Sequence, residues 1–295
     1  MSRVVLVVGA SSGIGRVTAR ACAARGDSVV LASRSEQGLR EAEKECEGAL
    51  ATLVVPTDVS DAASVDALFD VAVDRFGRVD AVVHSVTVLA YGRFEDVPAD
   101  VFDQVVATTF TGTANVSRAA LRVFKEQGGG SLVLVGSLLG RIAAPYMSSY
   151  VAAKWAVHGL ARVLYIEARE TPGVTVSMVA PGAVDTPVYQ QAGSYYGRGG
   201  HPPPPVDPPE RVAKAILEAM DKPKRHASVG MANWAAAFGF RVLPAVYDAL
   251  VLPLMRLTGI SRREVPPNPG NVVRPNPGLE APTGGWARQR PRGRL

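Results

Sequence analysis

RVVLVVGASSGIG, residues 3–15, reads as a strand, a turn and the start of a helix. The β-branched and apolar run from Arg3 to Val8 is the pattern of a buried strand. Gly9, Gly13 and Gly15 permit a tight turn and a close backbone approach. From Gly15 to Arg25 the pattern is helical, with Ala19, Ala23 and Ala24 giving high helix propensity. A strand, a glycine turn and a helix N-terminus together make an anion site suited to a pyrophosphate. The spacing is G-x-x-x-G-x-G, not the commoner G-x-G-x-x-G of dinucleotide folds. Five further runs are apolar on both faces: SVVLAS, ALATLVV, VDAVVHS, SLVLVGS and VTVSMVA. They alternate with helical patterns and glycine turns, so the expected fold is α/β, a doubly wound parallel sheet of Rossmann-like type.

The chemistry is expected at GSLLGRIAAPYMSSYVAAK, residues 136–154. Lys154 follows Tyr150 by four residues, so on a helix the two share one face, one turn apart. A phenol has a pKa of about 10 and is a poor acid or base at neutral pH. A neighbouring ammonium favours the phenolate and lowers that value. A tyrosine tuned in this way gives a proton to a carbonyl oxygen or takes one from an alcohol. Ser137 ends the strand-like run SLVLVGS, where its hydroxyl can hold the same oxygen.

In order along the chain stand GASSGIG, Asp58-Val59, Ser137, Tyr150-x-x-x-Lys154 and PGAVDTP at Pro181–Pro187. Over about residues 3–230 the chain resembles the short-chain dehydrogenase/reductase family, in its single-domain branch. The resemblance implies that Gly9, Ser11, Ser12, Gly13, Ile14 and Gly15 wrap the phosphates of a nicotinamide cofactor. It puts Asp58 and Val59 at the adenine, and Ser85 among the cofactor residues. Tyr150 and Lys154 fall at the nicotinamide ribose, and Pro181, Gly182, Val184 and Thr186 at the nicotinamide amide. Ser137, Tyr150 and Lys154 become the catalytic set, with no metal. Asp58 could equally cap the following helix, and Thr186 could close a turn. The second strand ends in Ser33 and Arg34 instead of an acid, which reads as NADP(H) over NAD(H).

Two positions depart from the family pattern. His84, Ser85, Val86 and Thr87 stand where Asn-Asn-Ala-Gly is usual, and a hydrogen-bonded core role is expected for His84. Thr109 stands where the family has an asparagine that binds a relay water, which puts relay efficiency in question. These changes motivate an alternative, a non-catalytic NADP(H)-binding sensor or scaffold. The main reading is an NADP(H)-dependent carbonyl reductase or secondary-alcohol dehydrogenase acting on an apolar substrate.

Residues 261–295 hold seven arginines against two glutamates, the whole of the chain's net +5, while residues 1–260 balance at 25 basic and 25 acidic. This Pro- and Gly-rich stretch is expected to be a disordered basic tail, and its sparse aromatics argue against nucleic acid. Residues 1–230 are read as the dinucleotide-binding and catalytic unit, with a lid at about 187–209 carrying Tyr189, Tyr195 and Tyr196. Residues 231–260 are read as an apolar helical extension. In Met231–Leu257 a narrow polar stripe is expected through Asn233, Arg241, Asp248 and Arg256. Its apolar remainder would pack on the core and a second subunit, making a homo-oligomer, or lie on a membrane surface as a peripheral contact. Cys22 and Cys46 lack metal spacing and look like small core or surface residues. Two cysteines and an early first strand read as a cytoplasmic protein.

Overall fold

Strands that are apolar on both faces must be covered on both faces, and parallel strands joined by helices achieve this. In the computed structural model, which describes residues 2–286, seven strands form one parallel sheet. They are β1 (Val4–Val8), β2 (Ser28–Ser33), β3 (Thr52–Pro56), β4 (Ala81–His84), β5 (Gly130–Val135), β6 (Val174–Pro181) and β7 (Ala227–Val229). Their order is β7-β6-β5-β4-β1-β2-β3, with Val5 opposite both Val29 and Ala81. β1, β2 and β4 are buried at every position.

The helices are α1 (Gly13–Ala23), α2 (Glu36–Lys44), α3 (Ala62–Phe76), α4 (Ala99–Val106), α5 (Gly112–Gln127), α6 (Ser148–Glu167), α7 (Val188–Gln191), α8 (Pro209–Asp221), α9 (Asn233–Val242) and α10 (Pro244–Leu254). Alternation along β1 divides the core in two. Leu6 and Val8 meet α3, α5 and α6 through Leu68, Val116 and Ala161. Val5 and Val7 meet α1, α2 and α8 through Cys22, Leu39 and Ile216. Each such side chain contributes about 1.5–3 kcal/mol by leaving water. The strand order reverses between β1 and β4, and the carboxyl ends of strands at such a reversal open the crevice where α/β sheets bind ligands.

Between α4 and α5 the chain makes a π-helical turn, Ala107–Thr111, with Thr108 and Thr109 buried. Both cysteines are buried and free, and burial pushes the Cys22 thiol up to about 12 and that of Cys46 to about 11.

Two expectations for the C-terminal third are corrected. The polar stripe does not exist as one face, because Leu243 and Pro244 break the segment into two helices. Asn233 is buried and donates to the Val229 carbonyl at 2.9 Å, and Arg256 donates to Tyr146 Oη at 2.8 Å. The second correction is that residues 261–286 are not a disordered tail. Ile260–Glu264 forms a strand antiparallel to Arg198–Gly200, and Asn268 bridges to Ser194. The chain then crosses the open end of the sheet, with Val272 fully buried against Val88, Ala90, Val101 and Val105. Its prolines forbid a helix, but they leave carbonyls free to accept donors from the body. Residues 287–295, with four of the seven arginines, lie outside the described residues.

Candidate active site

The glycine turn after β1 is coiled so tightly that side chains have no place in it. A Cβ on Gly9 would lie 2.6 Å from Ser85 Oγ, and one on Gly15 would overlap the Gly9 carbonyl. Ser12 begins α1 without a side-chain cap, so the first amides of an eleven-residue helix face the crevice. Ser85 Oγ donates to the Val8 carbonyl at 3.0 Å and locks the turn to β4.

One cleft along the carboxyl ends of the strands gathers the expected cofactor residues. Gly9, Ser11, Ser12, Gly13, Ile14, Gly15, Ser33, Arg34, Val59, Ser85, Pro181, Gly182, Val184 and Thr186 all line it, as do Ser137, Tyr150 and Lys154. The turn, the uncapped helix end and the narrow floor fit a pyrophosphate-bridged dinucleotide. Asp58 is the exception. Its Oδ1 accepts from the Ser60 amide at 2.9 Å and the Ser60 hydroxyl at 2.7 Å, so its carboxylate holds the turn before α3.

Arg34 lines the cleft but is already engaged by the C-terminal strap. Its guanidinium donates to the carbonyls of Asn271 at 2.7 Å, Val272 at 3.1 Å and Val273 at 3.3 Å. The strap also reaches the glycine turn, where the Ala281 carbonyl accepts from the Gly13 amide at 2.9 Å and from Ser12 Oγ at 3.1 Å.

At the other end of the cleft the polar residues converge. The Tyr150 hydroxyl stands beside the hydroxyls of Ser137 and Thr87. Burial raises its pKa above the ordinary phenol value, and those two neighbours oppose the rise. Lys154 stands beside the Tyr150 ring. Its Nζ sits 5.7 Å from the Tyr150 ring centroid and donates to the Val135 carbonyl at 3.0 Å. Burial pulls the Lys154 ammonium down to about 8.

Three features of this end were not anticipated. Thr87 and Thr109, the two family departures, pair with each other at 3.2 Å between hydroxyl oxygens, and Thr109 also meets the backbone of Val88. His158 lies one turn beyond Lys154 on α6, and its Nε2 accepts the Ser137 amide at 3.3 Å. Burial holds its pKa near 3, so the ring stays neutral and able to accept. The four-residue period from Tyr150 through Lys154 to His158 carried that signal in the sequence. Third, His84 takes the core position expected of it, but neither ring nitrogen has a hydrogen-bond partner among the described residues. Burial, aided by the Lys154 charge, drops its pKa to about 3.

Beyond Tyr150 the packing is apolar with aromatic hydroxyls. Leu89, Tyr91, Tyr146, Met147, Met255 and Ile260 form one buried cluster, joined by Tyr189 and Tyr196. Tyr146 adopts a left-handed backbone, φ 69°, and its ring lies 4.5 Å from that of Tyr196. Tyr195 turns away, to the cluster around Val272. Among the described residues no group of His, Cys, Asp and Glu is arranged to hold a metal.

Known proteins share this arrangement. The short chain dehydrogenase family matches residues 3–196. The "Uncharacterized oxidoreductase YxnA" of Bacillus subtilis (strain 168) is 35% identical over 257 residues, covering 86% of this chain and 72% of its own length. An alcohol dehydrogenase from Thermococcus sibiricus, solved with 5-hydroxy-NADP, has a TM-score of 0.66 at 29% identity over 78% of this chain and 95% of its own. A short-chain dehydrogenase/reductase from Burkholderia phymatum, solved with NAD, has a TM-score of 0.72 at 25% identity over 80% and 92%. A family match over residues 3–196 and a relative 35% identical over 86% of this chain have one explanation: this chain belongs to the short-chain dehydrogenase/reductase family, as an NAD(P)-dependent oxidoreductase.

Proposed function

We propose that the protein interconverts ketones and secondary alcohols of apolar character, and that β2 by itself selects NADP(H) through Ser33 and Arg34. The observation carrying this reading is the Tyr150 hydroxyl beside those of Ser137 and Thr87 on one cleft, with the Tyr150 ring packed against the tyrosine-rich apolar cluster. The bound nicotinamide supplies or accepts the hydride. Tyr150 gives the proton to the substrate oxygen or takes it away. The Ser137 hydroxyl orients that oxygen, and the His158 acceptor and the Leu139 amide, 3.1 Å from Ser137 Oγ, fix the serine in turn. Lys154, anchored on Val135, faces the sugar side with Tyr150 and places a positive charge there below about pH 8.

The family departures that favoured a non-catalytic role support turnover instead. Threonine at 87 puts a hydroxyl beside Tyr150, and threonine at 109 bonds that hydroxyl in turn, so polar groups lead away from the phenol. Among the described residues no helix is long and apolar enough to cross a membrane. The exposed face of α9 and α10 supports self-association of the chain.

A panel of apolar ketones and secondary alcohols, assayed with both nicotinamide cofactors for consumption of reduced or oxidised nucleotide, tests the reading. Turnover of apolar members over charged ones is expected. Absence of turnover across the panel, with nucleotide bound, would refute it.

A further inference from the structure

The strap lies on the groups read as binding the nucleotide, and it takes up their hydrogen bonds at three stations along the cleft. At the end of β2 the Arg34 guanidinium, read as the partner of a 2′-phosphate, donates to the carbonyls of Asn271, Val272 and Val273. At the glycine turn the Ala281 carbonyl accepts from the Gly13 amide at 2.9 Å and from Ser12 Oγ at 3.1 Å. Glu280 Oε1 accepts from Ser11 Oγ at 3.1 Å beside them. Amides and hydroxyls at a helix N-terminus are the donors a pyrophosphate needs. Here a carbonyl and a carboxylate take the place of its oxygens. After β6, where Thr186 is read as holding the nicotinamide amide, Trp286 Nε1 donates to the Thr186 carbonyl at 3.0 Å. The Trp286 amide donates to Asp185 Oδ1 at 2.9 Å. The strap therefore follows the path of a dinucleotide from its adenosine end to its nicotinamide end.

Space points the same way as bonding. The cavity beside the strap measures about 180 Å³, below the roughly 300–1,000 Å³ of pockets that enclose a drug-sized ligand. A dinucleotide is larger still. We propose that the docked strap is an autoinhibitory segment: it stands in the place of the dinucleotide, and NAD(H) or NADP(H) binds only when the strap lifts off. The proposal rests on the cleft being the nucleotide site of the proposed function, and it concerns entry to that site, not the choice between the two nucleotides. The seat of the strap suits release. Val272 is the only buried residue of 261–286, so one apolar side chain anchors the segment. Glu280 Oε2 is sealed from solvent and has no hydrogen-bond partner among the described residues, which counts against the docked state. Segments with few buried apolar groups open at the low end of the stability range. When only a fraction of the chains is open, the apparent affinity for nucleotide falls by that fraction.

The test is hydrogen exchange read by mass spectrometry on the full chain, without nucleotide and with NADH or NADPH at a level that nicotinamide fluorescence shows to be saturating. Bound nucleotide should speed exchange in peptides spanning 265–286 by roughly tenfold or more, while β1, β4 and β5 keep their protection. Val272→Ala trims the anchor and leaves every donor in the cleft in place. It should bind both NADH and NADPH roughly tenfold or more tightly than the parent chain. Strap peptides that stay protected under saturating nucleotide overturn the proposal, because strap and nucleotide would then share the cleft. So do dissociation constants within about twofold of the parent in a Val272→Ala chain whose strap exchanges faster. If neither protein binds either nucleotide, the reading of the cleft falls and takes the proposal with it, a result distinct from binding with the strap still in place.

Discussion

Tyr150 is the residue proposed for the proton step, and its surroundings show what a sequence cannot. A spacing of four residues announces that tyrosine and lysine share a helix face, as they do on α6, where both line the cleft with Ser137. It does not say what the phenol touches. Thr87 lies 63 positions upstream and meets Tyr150 only because β4 and α6 end at the same cleft, so no local pattern marks it. Tyr150→Phe removes a hydroxyl and leaves the ring, so folding and nucleotide binding should persist. Turnover should fall by about 10²–10⁴-fold, the usual cost of losing a general acid–base group. Parallel measurement of kcat and nucleotide affinity checks this, and near-normal kcat would remove Tyr150 from the mechanism. The buried histidines give a second prediction. His84 and His158 both titrate near 3 in the folded chain, against about 6.5 when unfolded. Between those values the unfolded chain binds protons that the folded chain does not. Stability is therefore full above about pH 6.5 and is lost as the pH falls toward 3, by about 1.4 kcal/mol per pH unit for each ring. His84→Leu exchanges two unpartnered nitrogens for an apolar side chain of similar volume. Urea unfolding between pH 7 and pH 4 should then show the slope reduced by one proton. An unaltered slope would mean that His84 is already protonated or solvated in the native state.

At the level of elements, the parallel sheet and its flanking helices were legible because two periodicities suffice. Runs apolar at every position demand cover on both faces, and α1, α2, α3, α5, α6 and α8 provide it. The segment after Gly230 was legible only as composition. Its polar residues recur at seven or eight positions, but the break at Leu243–Pro244 sends the two halves in different directions, and Asn233 is drawn inward by β6 and β7. The result is a helical pair with a broad apolar outer face. Trp234 is 74% exposed and Leu250 60%, and no residue of α10 is buried. The Trp234 ring stacks on Phe238 with centroids 5.3 Å apart. Apolar area of this kind on a water-soluble surface favours self-association. Replacing Trp234 and Phe238 together by glutamate should lower the mass class seen by light scattering. The thermal midpoint of the dissociated chain should stay close to that of the parent, since neither side chain belongs to the core. An unchanged mass would show that the face is not an interface between copies. Co-sedimentation of the parent with anionic vesicles, lost in the same variant, would assign the face to lipid instead.

For the molecule as a whole, the strap is what the sequence hid most completely. A stretch rich in proline and glycine, opening the segment 261–295 that holds the chain's excess positive charge, has the composition of a disordered tail. Order comes from partners elsewhere in the chain. The Arg34 fork takes three successive carbonyls, the α1 amide and Ser12 take a fourth, and Val272 fills a socket between β4 and α4. None of these requires a periodic pattern, so none is visible in the residues of the strap alone. Val272 is the apolar anchor, with no exposed surface. Val272→Ala should cost about 1.5–3 kcal/mol. That cost falls on the docking of the strap and not on the sheet, because the two core clusters close without it. Hydrogen exchange read by mass spectrometry separates the two. Peptides spanning 265–286 should exchange roughly tenfold or more faster in the variant, while those covering β1, β4 and β5 keep their protection. A chain ending at Ile260 should likewise fold, since both clusters survive, and should bind NADPH in preference to NADH because Arg34 is released from the carbonyls of residues 271–273. Uniform acceleration across the molecule in Val272→Ala would instead show that strap and sheet unfold as one cooperative unit. The strap would then be part of the core, with no docking equilibrium of its own.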